Sequence, residues 1–269
     1  MSRPWHKKSV NMSWVRDQGL SNTGENATAS GEVWLKIILI YGAQLPRDWL
    51  TETLGSALGS QLKLYNVYTE QKNLVVFVKI RRKQLSEFRA SLGHLREPSE
   101  VKPLSCDCNV VNEPGLAPPQ PDSPHILPSD WTDILKECIS HRYQSTARTL
   151  DLSNLHGDHE LMSQGLFLAL NKIPVANTVC QLLIGNKTSL ATLNLANNRL
   201  VSTVNFKDLV NPDILVEHLD LSLNPLNGID SLSHFKGLRG LVSLDISETP
   251  IMSQHRLSDS ALIGYVIYQ

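Results

Sequence analysis

The chain is poor in the residues and patterns that covalent chemistry needs. It has only four cysteines, Cys106, Cys108, Cys138 and Cys180. The Cys106-x-Cys108 pair lacks the second pair that a structural zinc site requires. Reduced thiols in a cytosolic or nuclear protein are the expectation. No GxSxG, HExxH or phosphate-binding glycine loop occurs, so the chain reads as a non-enzyme with no metal and no cofactor. His156-Gly157-Asp158-His159 places acid and base close together, but without a nucleophile or a third ligand it reads as a loop. Long apolar runs are absent too. Val33–Tyr41 is broken by Lys36 and is far too short for a bilayer, so no membrane role is expected. The basic N-terminus, MSRPWHKKSV, has no apolar stretch behind it and is no secretory signal.

Strong net charge is missing as well, since 25 basic residues nearly balance 26 acidic ones. The balance hides an asymmetry. Residues 32–109 carry 11 Lys and Arg against 8 Asp and Glu, whereas residues 129–269 carry 10 against 14. A positive first half and a negative second half suggest different partners.

The hydrophobic pattern divides the chain. Residues 1–31 show no apolar period and read as a disordered tail. From residue 32 to 109 the pattern predicts βαββαβ. The strands are Glu32–Ile40, Leu62–Thr69, Leu74–Val78 and Val101–Cys108. One helix opens at Pro46, carries Trp49, Leu50, Leu54 and Leu58, and ends at Gly59; the other covers 82–92. This is the split-βαβ order of ferredoxin-like RRM domains. Residues 110–128 hold six prolines and read as a stiff linker.

The rest repeats itself. Leu190, Leu193, Leu195, Asn198 and Leu200 fit L-x-x-L-x-L-x-x-N-x-L. Val216, Leu219, Leu221, Asn224 and Leu226 follow 26 residues later, then Leu241, Leu244, Ile246 and Ile251 with Thr249 in place of asparagine. Leu150-Asp151-Leu152-Ser153-Asn154-Leu155 looks like an atypical first repeat. Periods of this length are leucine-rich repeats, and a helix over 130–143 would cap the open end. The fold class is therefore α+β: a ferredoxin-like RRM domain at 32–109, then an α/β leucine-rich-repeat domain of about four repeats at 129–269.

Candidate binding residues follow from this frame. An RRM stacks bases on aromatics of its first and third strands. Here Ile38 holds the central first-strand position, and Phe77 and, less directly, Tyr68 are the aromatics left to stack. Alternation puts Trp34, Lys36, Ile38 and Ile40 on one face and Val33, Leu35, Ile37 and Leu39 on the other. Both faces are apolar, so the outer one must be covered or must bind something. Lys79, Arg81, Arg82 and Lys83, with Arg89 beyond, form the densest basic run and suit RNA phosphates at a strand-to-helix turn, and Lys36 of the first strand joins them as an RNA-binding candidate. In the repeats, Asp151, Asn194, Asp220 and Asp245 point into the concave face, where carboxylates would repel RNA and suit a basic protein partner.

The combination resembles the Tap/NXF family of nuclear RNA export receptors. The resemblance rests on Trp34-Leu35-Lys36-Ile37 through Tyr41-Gly42 and Trp49-Leu50, on Ser140-His141-Arg142-Tyr143 before Leu150-Asp151-Leu152, and on Leu193-Asn194-Leu195-Ala196-Asn197-Asn198-Arg199-Leu200. It implies a nuclear factor, with shuttling to the cytoplasm allowed, that binds single-stranded or structured mRNA, with the repeats touching RNA and protein. Such receptors continue into NTF2-like and UBA domains, which are not expected within these 269 residues, so either a fragment or a short paralogue is the expectation. The resemblance thus covers the cargo-binding half, and either a protein-interaction adaptor or a transcript-silencing relative without export activity is the alternative.

Overall fold

The computed structural model describes residues 31–56, 62–96, 103–118, 126–185, 190–211, 214–238 and 240–254. The tail expected at 1–31 and the helix end at Leu58 and Gly59 lie outside them, save Gly31. No helix among the described residues is long and apolar enough to cross a membrane.

The first unit runs β1 (Glu32–Leu39), α1 (Arg47–Ser56), β2 (Leu64–Glu70), β3 (Asn73–Arg81), α2 (Leu85–Leu92) and β4 (Cys106–Val111). Its antiparallel sheet has the order β2-β3-β1-β4. Val33, Leu35, Ile37 and Leu39 alternate onto one face, where they pack with Leu50 and Leu54 of α1 and Phe88 and Leu92 of α2. The turn out of β1 depends on Gly42, because a Cβ there would lie 2.8 Å from the Leu39 Cβ. Two sequence boundaries change. Pairing of Glu32 with Arg81 extends β3, so Lys79 and Arg81 are strand residues, and only Arg82 and Lys83 occupy the following 3-10 turn. Pairing of Trp34 with Val111 carries β4 into the segment read as linker.

The second unit opens with α3 (Ser129–Arg142), whose Trp131, Leu135, Cys138 and Ile139 are buried against the first repeat. Then follow β5 (Tyr143–Gln144), β6 (Thr149–Asp151), α4 (His159–Ser163), α5 (Ile173–Gly185), β7 (Thr192–Asn194), β8 (His218–Asp220), β9 (Ser243–Asp245) and α6 (Pro250–Gln254). Strands β6 to β9 are parallel, with Leu150, Leu193, Leu219 and Leu244 in register.

Buried asparagines stitch neighbouring repeats together. Asn198 Nδ2 donates to the carbonyls of Leu152, Leu195 and Ala196, and its Oδ1 accepts from Leu155 N–H. Asn224 repeats the pattern one repeat on, accepting from Asn198 and Leu200 N–H. A strand and its turn leave backbone groups that must find partners when buried; the amide supplies donor and acceptor at once. Thr249 has only a hydroxyl there and bonds back to the Ile246 carbonyl within its own repeat.

Candidate nucleic-acid interface

The outer face of the first sheet is covered over much of its extent. Trp34, Tyr65, Val75 and Phe77 are buried together with Phe167 and Ala169 of the repeat unit. The Phe167 ring stands edge-on to Trp34 at 5.4 Å and to His156 at 5.4 Å, with the Arg199 guanidinium 5.7 Å away. Beneath it, Asn66 is fully buried at a β-bulge with φ of 43°. Its side chain accepts from Phe167 N–H at 2.8 Å and donates to the carbonyls of Phe167 at 3.0 Å and Gly115 at 2.8 Å. Its own N–H donates to the Gly165 carbonyl at 2.8 Å. The bulge lifts Asn66 out of the ladder so that it bonds the other unit as a strand would.

The segment after β4 is likewise no free spacer at its start. Glu113 reaches Lys172 and Arg199 of the repeat unit, Pro114 is buried, and Gly115 lies on Phe77, where a Cβ would come within 3.1 Å of the ring. Residues 113–116 therefore strap the sheet on their way to the repeats.

This placement corrects the stacking assignment. Phe77 is 2% exposed, and its ring cannot take a base while the strap and Phe167 are seated. Tyr68 is half-buried between the two units and tilted against Phe77 at 6.4 Å. Burial and then Glu70 raise its phenol pKa. Substituting Phe77 would therefore act through the fold.

The basic residues do not form one patch. Lys79 is paired with Glu32 at 2.7 Å and sits 5.7 Å over Trp34. Lys36 is half-buried on the same face, opposite Phe77 and Asn109. Arg81, Arg82 and Lys83 are exposed where β3 runs into its turn. Arg89 is exposed on α2 and approaches Cys108, which packs into the helix-side core. It therefore lies across the sheet from Lys36. The reachable cluster is Arg81, Arg82 and Lys83.

In the repeats, Asp151, Asn194, Asp220 and Asp245 line up across the four strands. Each uses one side-chain oxygen to accept the N–H two residues on, at 2.8–2.9 Å. The Asx turn explains why these residue types recur. It leaves the second oxygen of each aspartate free of this duty.

The one described group with metal-ligand chemistry is Cys138, Asp158 and Glu160, within 4.8 Å of one another. Asp158 is already spent. One oxygen caps α4 through the N–H groups of Glu160 and Leu161, and the other takes Arg142 at 2.6 and 2.9 Å. Burial pushes the Cys138 thiol up to about 12, reinforced by Asp158. His156 of the same loop is a packing residue of the seam, and its Nδ1 is buried with no hydrogen-bond partner among the described residues.

Sequence reasoning misses Asn66, Phe167, Glu113 and Lys172, and it meets His156 only as a loop residue and Arg199 only as part of a repeat. A lone asparagine between Tyr65 and Val67 in an otherwise good strand was the one local hint.

The seam carries a pH dependence. Burial first, then Arg199, lowers the His156 pKa from 6.5 to about 4 against the pull of Glu113. Once opened, the imidazole binds a proton that the closed state refuses. The open state therefore gains protons as pH falls from 6.5 to about 4, and the closed state loses stability through that window. Glu113 acts in the same direction lower down. Burial raises its pKa, but Lys172 and Arg199 outweigh this and hold it below 4.5. Urea midpoints should fall through this range, and His156→Leu should flatten the fall above pH 4.5. A wild-type midpoint constant from pH 6.5 to 4 would contradict the burial of this ring.

Residues 140–263 match the family model of the NXF1/2/3/5 leucine-rich repeat domain. Nuclear RNA export factor 2 of Homo sapiens is 24% identical over 220 residues, which are 82% of this chain and 34% of that protein. Nuclear RNA export factor 1 of Caenorhabditis elegans is 31% identical over 119 residues, 42% of this chain and 19% of that protein. The chain thus spans at most about a third of these relatives. The solved Mex67 LRR domain from Chaetomium thermophilum overlays 51% of this chain and 86% of its own length, at 20% identity and a TM-score of 0.38. The leucine-rich repeats of this chain are similar to those of the nuclear RNA export factors.

Proposed function

We propose that this chain binds single-stranded RNA as an export-factor-like adaptor in the nucleus. Its first unit acts as an RRM-like domain whose RNA contacts are electrostatic rather than stacked. The concave strip of the repeats takes a protein partner with lysine or arginine at its surface. The observation carrying this reading is the exposure of Arg81, Arg82 and Lys83 together at one end of β3, while the aromatic positions beside them are sealed. Cations of this kind release counterions from phosphates and bind without regard to sequence. The names of the relatives support RNA as the cargo, and the Asx-turn aspartates support a protein on the concave side.

Changing Arg81, Arg82 and Lys83 to alanine together should weaken RNA binding about equally for unrelated sequences. The slope of log affinity against log salt should become shallower by about two units for three lost single-strand contacts. Fluorescence anisotropy over a salt series reads both quantities. An unchanged slope would remove the cluster from the site. A second reading, a protein adaptor with no RNA contact, is favoured by the sealed sheet face and by Ile38. No RNA binding by the wild type at about 50 mM salt, where such contacts are strongest, would decide for that reading.

A further inference from the structure

We propose that Lys172 and Arg199 form a phosphate site at the seam, which Glu113 of the strap occupies in the closed state, so that RNA and strap compete for it. The inference rests on the RNA-binding reading above and adds a second, regulated contact to it.

The geometry is that of an anion site with an internal occupant. One carboxylate bridges two cations: Glu113 Oε2 accepts from Arg199 Nη1 at 2.8 Å, and Oε1 meets Lys172 Nζ. The carboxylate is enclosed at 13% side-chain exposure, whereas Lys172 and Arg199 keep 35% and 42%. A larger anion can therefore reach the cations from solvent even though the seated one is hidden. Among the described residues neither cation has a second carboxylate partner. One negative charge faces two positive ones, and a positive charge is left over. A phosphodiester presents two oxygens with much the same spread as a carboxylate, and Arg recognises both through the same fork.

The backbone at Arg199 is specialised for this position. It adopts φ of 58°, a left-handed conformation that is unusual for a side chain of this size. The same place in the next two repeats is held by Pro225 and Pro250, whose rings fix φ near −65° and forbid it. Arg199 therefore departs from the repeat to bring its guanidinium over Phe167, beside the strap. Strain of this kind persists where the surroundings hold it and clusters at ligand clamps.

The test uses the full chain and a labelled single-stranded RNA of mixed sequence. Glu113→Gln removes the internal competitor. RNA affinity should rise about 5-fold, the scale of one partly exposed ion pair, and the salt slope should steepen by up to about 1.4 units for two added contacts. Adding Lys172→Gln and Arg199→Gln should abolish the gain. Glu217→Gln, which takes a carboxylate from Arg148 instead, should give none. An equal gain from Glu217→Gln would mean that only net charge matters and would overturn the proposal. So would unchanged affinity in a folded Glu113→Gln chain. Should Glu113→Gln fail to fold, Lys172→Gln alone carries the test: weaker binding with a shallower slope supports the site, and unchanged binding removes it. A response to the Arg81, Arg82 and Lys83 variant without one at Glu113 would overturn this site and keep the earlier reading. A gain at Glu113 in a chain indifferent to that cluster would do the reverse. No binding by wild type and Glu113→Gln alike would remove both.

Discussion

Phe167→Ala should cost about 3–5 kcal/mol, the usual range for a buried phenylalanine, and should uncouple the two units. The ring is buried and touches Trp34 and His156 edge-on, with Arg199 over it. Truncation would leave a void between elements held apart by their own cores, so little collapse can refill it. The Asn66 bonds to the Phe167 backbone survive on paper. They would then be exposed to water, where a hydrogen bond contributes only about 1 kcal/mol net. Three readouts should move together. Trp34 emission should shift to longer wavelength, protease should cut within residues 113–116, and one melting transition should become two. The wild type should resist cleavage at 113–116, because Pro114 is buried and the Gly115 carbonyl is bonded to Asn66. A variant that melts as one unit with an unmoved midpoint would show that Phe167 does not hold the seam.

The same contacts explain what could and could not be read from the residues. The repeats were legible because a solenoid buries each face against its neighbour, so one spacing recurs at Leu193, Leu219 and Leu244. The sheet was legible because alternation at Val33, Leu35, Ile37 and Leu39 fixes which side faces helices. That alternation also left Trp34, Ile38 and Phe77 on a second apolar face. Two apolar faces demand a cover, but nothing in the periodicity says whether the cover is a ligand or another part of the chain. Here it is Phe167 with Ala169, about 90 residues beyond Phe77 in sequence, and sequence spacing carries no trace of that pairing. The proline-rich segment misled for a related reason. Composition reports stiffness, whereas what seats residues 113–116 is the two cations awaiting Glu113. The basic run was found, but pairing with β1 drew Lys79 and Arg81 into the strand, and burial of the aromatics separated charge from stacking.

Leu221→Ala is the second large expected effect, at about 2–5 kcal/mol. Leu221 is fully buried, and its N–H donates to the Asp245 carbonyl at 2.7 Å. It occupies in its repeat the place of Leu195 before it and Ile246 after it, both buried in the same core. The damage should run in both directions, because each repeat is stable only against its neighbours. Toward the C-terminal side it should loosen Leu244 and Ile251. Toward the N-terminal side it should disturb Asn198, whose N–H is accepted by Asn224, and through the next residue Arg199 and the seam. The first unit has its own core around Leu35, Ile37, Leu50 and Phe88, so its β1–β3 pairing should outlast the repeats. Hydrogen exchange separates these cases. Amides of Leu193, Leu219 and Leu244 should lose protection together, while those of Leu35 and Ile37 keep most of theirs. Protection lost at Leu244 alone would mean that the repeats are not coupled through Leu221. Equal loss in β1 would mean that the seam, and not the first core, holds the sheet together.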